Sequence, residues 1–247
     1  MKVRLLTAGL AGAALALIMA TPATAAANPP HPAPLGPQRP YEARVDGPVN
    51  IEGGYAEVAR LGSGLSITFD GTRHTATGEK PAAPREFVFL FDRTIRFNPL
   101  AFPTCSRTQL AAAACPTGSK VGTGLAEFYP AGTAEVAVYN TKFPNGLRGV
   151  LITIPATGTV LDNTLEPVVG TYQRDYTWGL HEIVPPDATP PELRGSTTRF
   201  LVTFGASWQG HDFVESHAPT GRQLNLGIWS HYVTGQKTLT EGQTPRP

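Results

Sequence analysis

Histidine and acidic side chains are the residues of this sequence whose types could support metal or acid–base chemistry. The segment HDFVESH carries His211, Asp212 and His217, and His181 and His231 lie in other segments. Imidazole and carboxylate groups bind transition metals and act as general acids or bases. However, two histidines separated by five residues do not have a usual zinc-ligand spacing. We therefore expect no metal and no cofactor, and a metal-assisted site built from these five residues is the alternative.

The two cysteines, Cys105 and Cys115, are open to three chemical interpretations. Structural zinc would need further close pairs of Cys or His ligands, and a redox dithiol would have CxxC spacing. Neither pattern accompanies these cysteines, which stand ten positions apart. Cysteines of an exported chain pair by default, and closing such a loop stabilises a fold by roughly 3 kcal/mol in the chain-entropy model. The sequence therefore predicts a disulfide.

The segment GSKVGTG, residues 118–124, contains the residue types of a phosphate-binding loop. In such a loop the lysine precedes the serine or threonine and the chain then enters a helix. Here Lys120 follows Ser119, and the next residues, LAEFYP, do not have a helical pattern. The order of the residues therefore argues against nucleotide binding.

Six aromatic residues of the C-terminal half are candidates for ligand contact. Aromatic rings on a sheet can stack on sugars or line an apolar groove, although they more often belong to the core. The six are Tyr172, Tyr176, Trp178, Trp208, Trp229 and Tyr232.

The first 25 residues have the pattern of a secretory signal peptide. Lys2 and Arg4 precede an apolar run over residues 5–20, and Ala23-Thr24-Ala25 supplies the small residues of a cleavage site. The run is shorter than the ~20 residues of a membrane span. Cleavage removes two of the 20 basic residues and none of the 19 acidic ones, so the formal net charge changes from +1 to −1. A near-neutral chain without a basic run is not expected to bind nucleic acid.

The remaining chain is predicted to contain a proline-rich linker over residues 26–44, one domain over 45–240 and a C-terminal tail over 241–247. Residues 26–40 include six prolines, a composition typical of a stiff linker. Beyond them, alternating or continuous apolar runs predict strands at residues 65–70, 86–92, 132–140, 148–154, 172–184, 199–204 and 224–233. The run EFVFLFD at 86–92 is typical of a strand that is covered on both faces.

One helix is predicted, over residues 106–114. Ser106 and Gln109 have the spacing of a capping box, the alanines that follow favour a helix, and Pro116 ends it. Many strands and one short helix predict an all-β fold. We expect an antiparallel β-sandwich, with Ig-like connections as one option and the helix held by the disulfide.

The stretch FPTCSRTQLAAAACPTGSKVGTGLAEF, with the nearby segments RTIRFNPLA and EVAVYN, resembles a family of secreted actinobacterial proteins of uncharacterised activity. The shared pattern is a Phe-Pro-x-Cys-Ser start followed by Cys-Pro-x-Gly-Ser-Lys-Val-Gly-x-Gly, and it lies within residues 87–140. The resemblance implies export and a β-sandwich, and it implies no activity. Some members carry a second cysteine pair near the C-terminus, which this chain lacks.

These observations favour a secreted, non-catalytic protein of unknown role. A cell-wall or extracellular binding module is one form of that hypothesis, and its partner would be the cell wall or a carbohydrate. Two alternatives remain: a secreted hydrolase of the glycosidase or metal-assisted type, and a carrier of an apolar ligand. A serine hydrolase has little support because the GxSxG frame is absent from the sequence. The ligand, the partners and the oligomeric state are not indicated by the sequence.

Overall fold

The structure is a computed structural model that describes residues 28–33, 41–184 and 189–247. The predicted signal peptide lies outside the described residues. The strands are β1 (Ile51–Leu61), β2 (Gly64–His74), β3 (Pro84–Asp92), β4 (Ile95–Phe97), β5 (Lys120–Phe128), β6 (Thr133–Lys142), β7 (Arg148–Ile154), β8 (Thr159–Pro167), β9 (Tyr176–Ile183), β10 (Thr197–Phe204), β11 (Ser207–Trp208), β12 (His211–Asp212), β13 (Val214–Ser216), β14 (Gln223–Tyr232) and β15 (Lys237–Pro245). A short helix, α1, spans Arg107–Ala111, and 3-10 turns span Pro155–Thr157, Gly170–Arg174 and Pro191–Leu193.

Eleven strands form one antiparallel sheet in the order β1-β2-β10-β5-β6-β7-β8-β9-β3-β14-β15. The strands at the two ends of this order, β1 and β15, contact each other, so the sheet curls into a nearly closed barrel. Glu52 on β1 bridges the seam by accepting a hydrogen bond from Thr238 Oγ1 on β15 at 2.8 Å. The predicted all-β antiparallel class is confirmed.

The inner face of the sheet encloses one large apolar cluster. Four rings meet in its middle in tilted or edge-to-face contacts, with centroids 5.2–6.2 Å apart; they are Phe69, Phe89, Phe91 and Phe204. Edge-to-face and tilted contacts between aromatic rings stabilise a fold in addition to the stability that comes from burying their apolar surface. The interior is therefore filled by side chains.

Strand β3 is buried on both faces, as its continuous apolar sequence predicts. Phe89 and Phe91 belong to the inner cluster, whereas Val88 and Leu90 belong to a second cluster outside the barrel with Trp229. Successive side chains of a strand point to opposite faces. Because side chains on both faces of β3 are buried, other residues must pack against each face.

Residues 28–33 provide part of the outer cover. The carbonyl groups of Pro30 and Pro32 accept hydrogen bonds from Tyr172 Oη at 3.0 Å and from the Val169 N–H at 2.9 Å. Ala33 is 1% exposed. This part of the proline-rich segment thus lies against the sheet.

Helix α1 is held at one end of the barrel by the predicted disulfide between Cys105 and Cys115. The predicted capping box is present: Gln109 N–H donates to Ser106 Oγ at 3.2 Å, and Ser106 N–H donates to Gln109 Oε1 at 2.9 Å. The helix ends earlier than predicted, and Ala113 just beyond it has a left-handed φ of 52°.

Among the described residues, no helix has both the length and the apolar character needed to cross a bilayer.

Candidate functional site

A groove lies at the end of the barrel where β4 pairs with β13. Its lining comes from strands and loops that are far apart in sequence. The lining residues are 97–101, Arg148, Leu165, Trp178, His211 and Glu215.

Trp178 is placed by the register of β9. It pairs with Phe91 on β3 and with Pro167 on β8, next to the start of its own strand. Side chains two residues apart share a face, so Trp178 lies on the same inner face as the buried Leu180. Because the barrel ends here, Trp178 remains half-buried whereas Leu180 is 1% exposed.

The floor of the groove is aromatic and apolar. The Phe97 ring packs on Phe91 with centroids 4.8 Å apart and on Phe213 at 5.8 Å, which connects the groove to the core. Leu165 and Trp178 are half-buried, and Leu100 is 80% exposed. The groove therefore offers a rigid apolar surface that is accessible to a ligand.

Three polar side chains, Arg148, His211 and Glu215, line the same groove. Among the described residues, none of the three side chains makes a hydrogen bond or an ion pair. His211 and Glu215 are exposed, and Arg148 is half-buried. A guanidinium, an imidazole and a carboxylate are thus free to donate to and accept from a ligand.

Asp212, which follows His211, has a structural role. Its side chain is buried and accepts hydrogen bonds from Ser63 Oγ at 2.6 Å and from Ser207 Oγ. Burial would raise the pKa of Asp212, but these hydroxyl groups and the Gly64 N–H outweigh it and hold the pKa below its usual value. The carboxylate therefore fixes β11 and β12 to the turn between β1 and β2.

The six predicted aromatic contacts separate into two groups. Tyr172, Tyr176, Trp229 and Tyr232 are buried. Trp178 and Trp208 are half-buried, and of the two Trp178 lines the groove. The ring of Trp208 instead packs over Gly118, where an added Cβ would lie 2.4 Å from it.

The five residues of the alternative metal site do not converge. Among the described residues, the one group of three or more close metal-binding side chains contains His181 but not His211, Asp212 or His217. His181 and His231 lie on either side of Glu86 on the outer face of the barrel. Burial lowers the pKa of His181, but the nearby Glu166 and Glu86 carboxylates outweigh it and raise the pKa to about 9.

The glycines of GSKVGTG serve the packing of two strands. At Gly122 and Gly124 on β5, an added Cβ would lie 2.1 Å from Thr203 O and 2.0 Å from Leu201 O on β10. Lys120 is exposed at the start of the strand. The close approach of β10 explains these glycines without a phosphate.

Sequence reasoning missed several groove residues. Arg148 begins β7, Leu165 lies two residues before the end of β8, and residues 98–101 follow β4. The exposure of Leu100 in the segment RFNPLA is a property of the fold, and the local sequence does not indicate it.

No family model, curated protein or solved structure matches the chain.

Proposed function

We propose that this protein is an exported, non-catalytic binding module that holds a neutral saccharide in the groove at the end of its barrel. The observation that carries the proposal is the half-buried Trp178 ring beside three unpaired polar side chains. Sugars present apolar C–H faces that stack on aromatic rings, together with hydroxyl groups that both donate and accept hydrogen bonds.

The charges of the groove support a neutral ligand. Arg148 and Glu215 carry opposite charges, so together they favour neither an anion nor a cation. An Arg fork and a carboxylate can instead share neighbouring hydroxyl groups of one ring, the Arg as donor and the Glu as acceptor.

The alternatives have less support from the geometry. A carrier would need an apolar cavity, whereas the barrel interior is filled by phenylalanine rings. A hydrolase built on HDFVESH would use Asp212, whose oxygens are already occupied by Ser63 and Ser207.

Isothermal titration of the mature protein with soluble neutral oligosaccharides, including glucan and N-acetylglucosamine oligomers, tests this function. We expect at least one of them to bind and Trp178→Ala to weaken its binding by about tenfold or more, as loss of a central aromatic contact does. Arg148→Ala should weaken binding by a smaller factor.

Tyr41→Ala is the matched control because Tyr41 is an aromatic residue that is 95% exposed and lies outside the groove. Near-ultraviolet circular dichroism of each variant checks that the fold is kept. Absence of binding to every saccharide, or equal affinity of Trp178→Ala and the parent, would contradict the proposal.

A further inference from the structure

A second cluster of polar side chains lies on the outer face of the barrel, on the opposite face of β9 from Trp178 of the groove. It contains Glu86 on β3, His181 on β9 and His31 from the N-terminal segment. One ligand atom from each residue lies within 4.8 Å of the other two. These are residue types that bind zinc and similar ions.

His181 carries the strongest indication of a missing partner. It is 2% exposed, and neither ring nitrogen makes a hydrogen bond to any residue that the structure describes. Its Nε2 lies 3.7 Å from Glu86 Oε1, and its Nδ1 lies 3.6 Å from Glu166 Oε1. Buried imidazole nitrogens normally make hydrogen bonds. The two ring nitrogens of His181 face carboxylates at distances too long for hydrogen bonds, which indicates that a further group binds between them.

The distances suit ligands of a shared ion. Hydrogen-bonded nitrogen and oxygen atoms lie about 2.7–3.2 Å apart. Two ligands that each lie about 2.1 Å from a tetrahedral ion are separated by roughly 3.4 Å. The separations of Glu86 Oε1 from His181 Nε2 and His31 Nε2, 3.7 Å and 4.0 Å, are nearer to the second value.

The N-terminal segment brings His31 to this point. Pro29 O accepts a hydrogen bond from Trp229 Nε1 at 3.4 Å, and the His31 ring packs edge-on against Trp229 with centroids 4.7 Å apart. His31 Nδ1 accepts the Ala33 N–H at 3.1 Å, which directs Nε2 to Glu86. An ion on Nε2 requires the imidazole proton on Nδ1, so metal binding would break the hydrogen bond that Nδ1 accepts from the Ala33 N–H.

Neighbouring groups orient the carboxylates. His231 Nδ1 lies 3.0 Å from Glu86 Oε2, which leaves Oε1 for the ion. Glu166 Oε1 accepts from Thr164 Oγ1, and its Oε2 is buried without a partner. Such outer contacts fix the direction of metal ligands in proteins. An ion would take the place of a proton on the imidazole nitrogen that faces it, and the Glu86 and Glu166 carboxylates would balance the charge of a divalent cation.

We propose that His31, His181 and Glu86 bind a divalent transition-metal ion of the zinc class, with Glu166 available as a fourth ligand. The ion fastens the N-terminal segment to β3 and β9, and through Glu166 to β8. His181 is buried and the segment covers it, so the ion has a structural role and is not exposed to a substrate. The proposed ligands include none of the residues that line the groove.

The test uses the mature exported protein, stripped with a chelator and then titrated with Zn²⁺ and with Co²⁺. We expect about one ion per chain by elemental analysis, and a visible Co²⁺ absorption band of low-symmetry coordination by nitrogen and oxygen. His31→Ala should weaken Zn²⁺ binding by at least about tenfold, since it removes one of three ligands from a segment outside the sheet. His31→Ala should also speed cleavage of the N-terminal segment by a protease in the presence of Zn²⁺.

His217→Ala is the control because His217 is exposed and outside the cluster. Glu86→Gln provides a second ligand variant with nearly unchanged shape. An absence of stoichiometric metal in the parent would mean that His181 is a protonated partner of two carboxylates, and it would overturn the proposal. Binding that is equal in the parent, His31→Ala and Glu86→Gln would overturn it as well.

Discussion

Among single residues, Asp70 and Arg199 form an ion pair between two strands of the sheet. Arg199 Nε and Nη2 donate to the two carboxylate oxygens of Asp70 at 2.8 Å and 2.5 Å, across neighbouring strands β2 and β10. The Arg199 hydrogen bonds lower the pKa of Asp70 and outweigh burial, which raises it. Bidentate pairs of this kind are among the stronger ionic contacts in proteins.

This pair predicts a pH dependence of stability. A carboxylate whose pKa is lower in the folded state stabilises the fold above its unfolded pKa of about 4, and the contribution is lost as the pH falls through the folded value. Asp70→Asn should lower the free energy of unfolding at neutral pH by about 1 kcal/mol, a modest value because Arg199 is 35% exposed and screened. The difference in the free energy of unfolding between Asp70→Asn and the parent should become smaller in acid.

Urea unfolding at neutral pH and at a pH of about 3 measures this difference. Asp46→Asn, which changes an exposed carboxylate, is the control. If the free energies of unfolding of Asp70→Asn and the parent differ equally at both pH values, the ionised Asp70 carboxylate does not stabilise the fold through Arg199.

At the scale of elements, the glycines of β5 set the distance between β5 and β10. Gly124→Ala should lower the free energy of unfolding by about 1–3 kcal/mol, because its Cβ would lie 2.0 Å from Leu201 O and a strand must move. Gly242→Ala on β15 has no atom within 4 Å of the added Cβ and should change stability little. Equal denaturation midpoints for the two variants would show that the strands are not closely packed there.

The disulfide should stabilise the end of the barrel where α1 lies. The helix has five residues, too short to be stable alone, so it depends on this bridge and on its contacts. Replacing both Cys105 and Cys115 with serine should lower the free energy of unfolding by roughly 3 kcal/mol. Reductant should destabilise the parent by a similar amount and leave the double variant unchanged; insensitivity of the parent would contradict the prediction.

Local sequence patterns predicted the elements better than they predicted the groove. The runs at 86–92, 148–154 and 199–204 lie within β3, β7 and β10, because alternation and β-branched residues report burial directly. The capping box likewise defined where α1 begins. Strands such as β1 and β15, with mostly exposed or half-buried residues, left a weaker pattern and were not predicted.

At the scale of the whole molecule, the sheet order could not be predicted because it joins distant segments. β10 lies between β2 and β5, and β3 lies between β9 and β14. The groove and the His31–Glu86–His181 cluster are products of this order, since each combines residues from elements far apart in sequence. Residues 28–33 cover Trp229 and contribute to its burial. The proline-rich composition of this segment had predicted a linker.

The position of the predicted cleavage site decides whether residues 28–33 remain on the mature chain. If export removes residues 1–25, the segment that carries His31 remains on the mature chain. N-terminal sequencing of protein recovered from the medium should therefore give a start between Ala26 and Asn28. A mature chain that begins at Met1 would contradict export by cleavage, and one that begins beyond His31 would remove the outer cover.

The saccharide that we propose for the groove beside Trp178 can be observed in a crystal structure. The experiment uses the mature protein with the oligosaccharide that binds most tightly. We expect a sugar ring stacked on the Trp178 indole, with hydroxyl groups within about 2.5–3.2 Å of the Arg148 and Glu215 side chains. A sugar bound elsewhere on the barrel, with the groove containing only solvent, would contradict the proposed function.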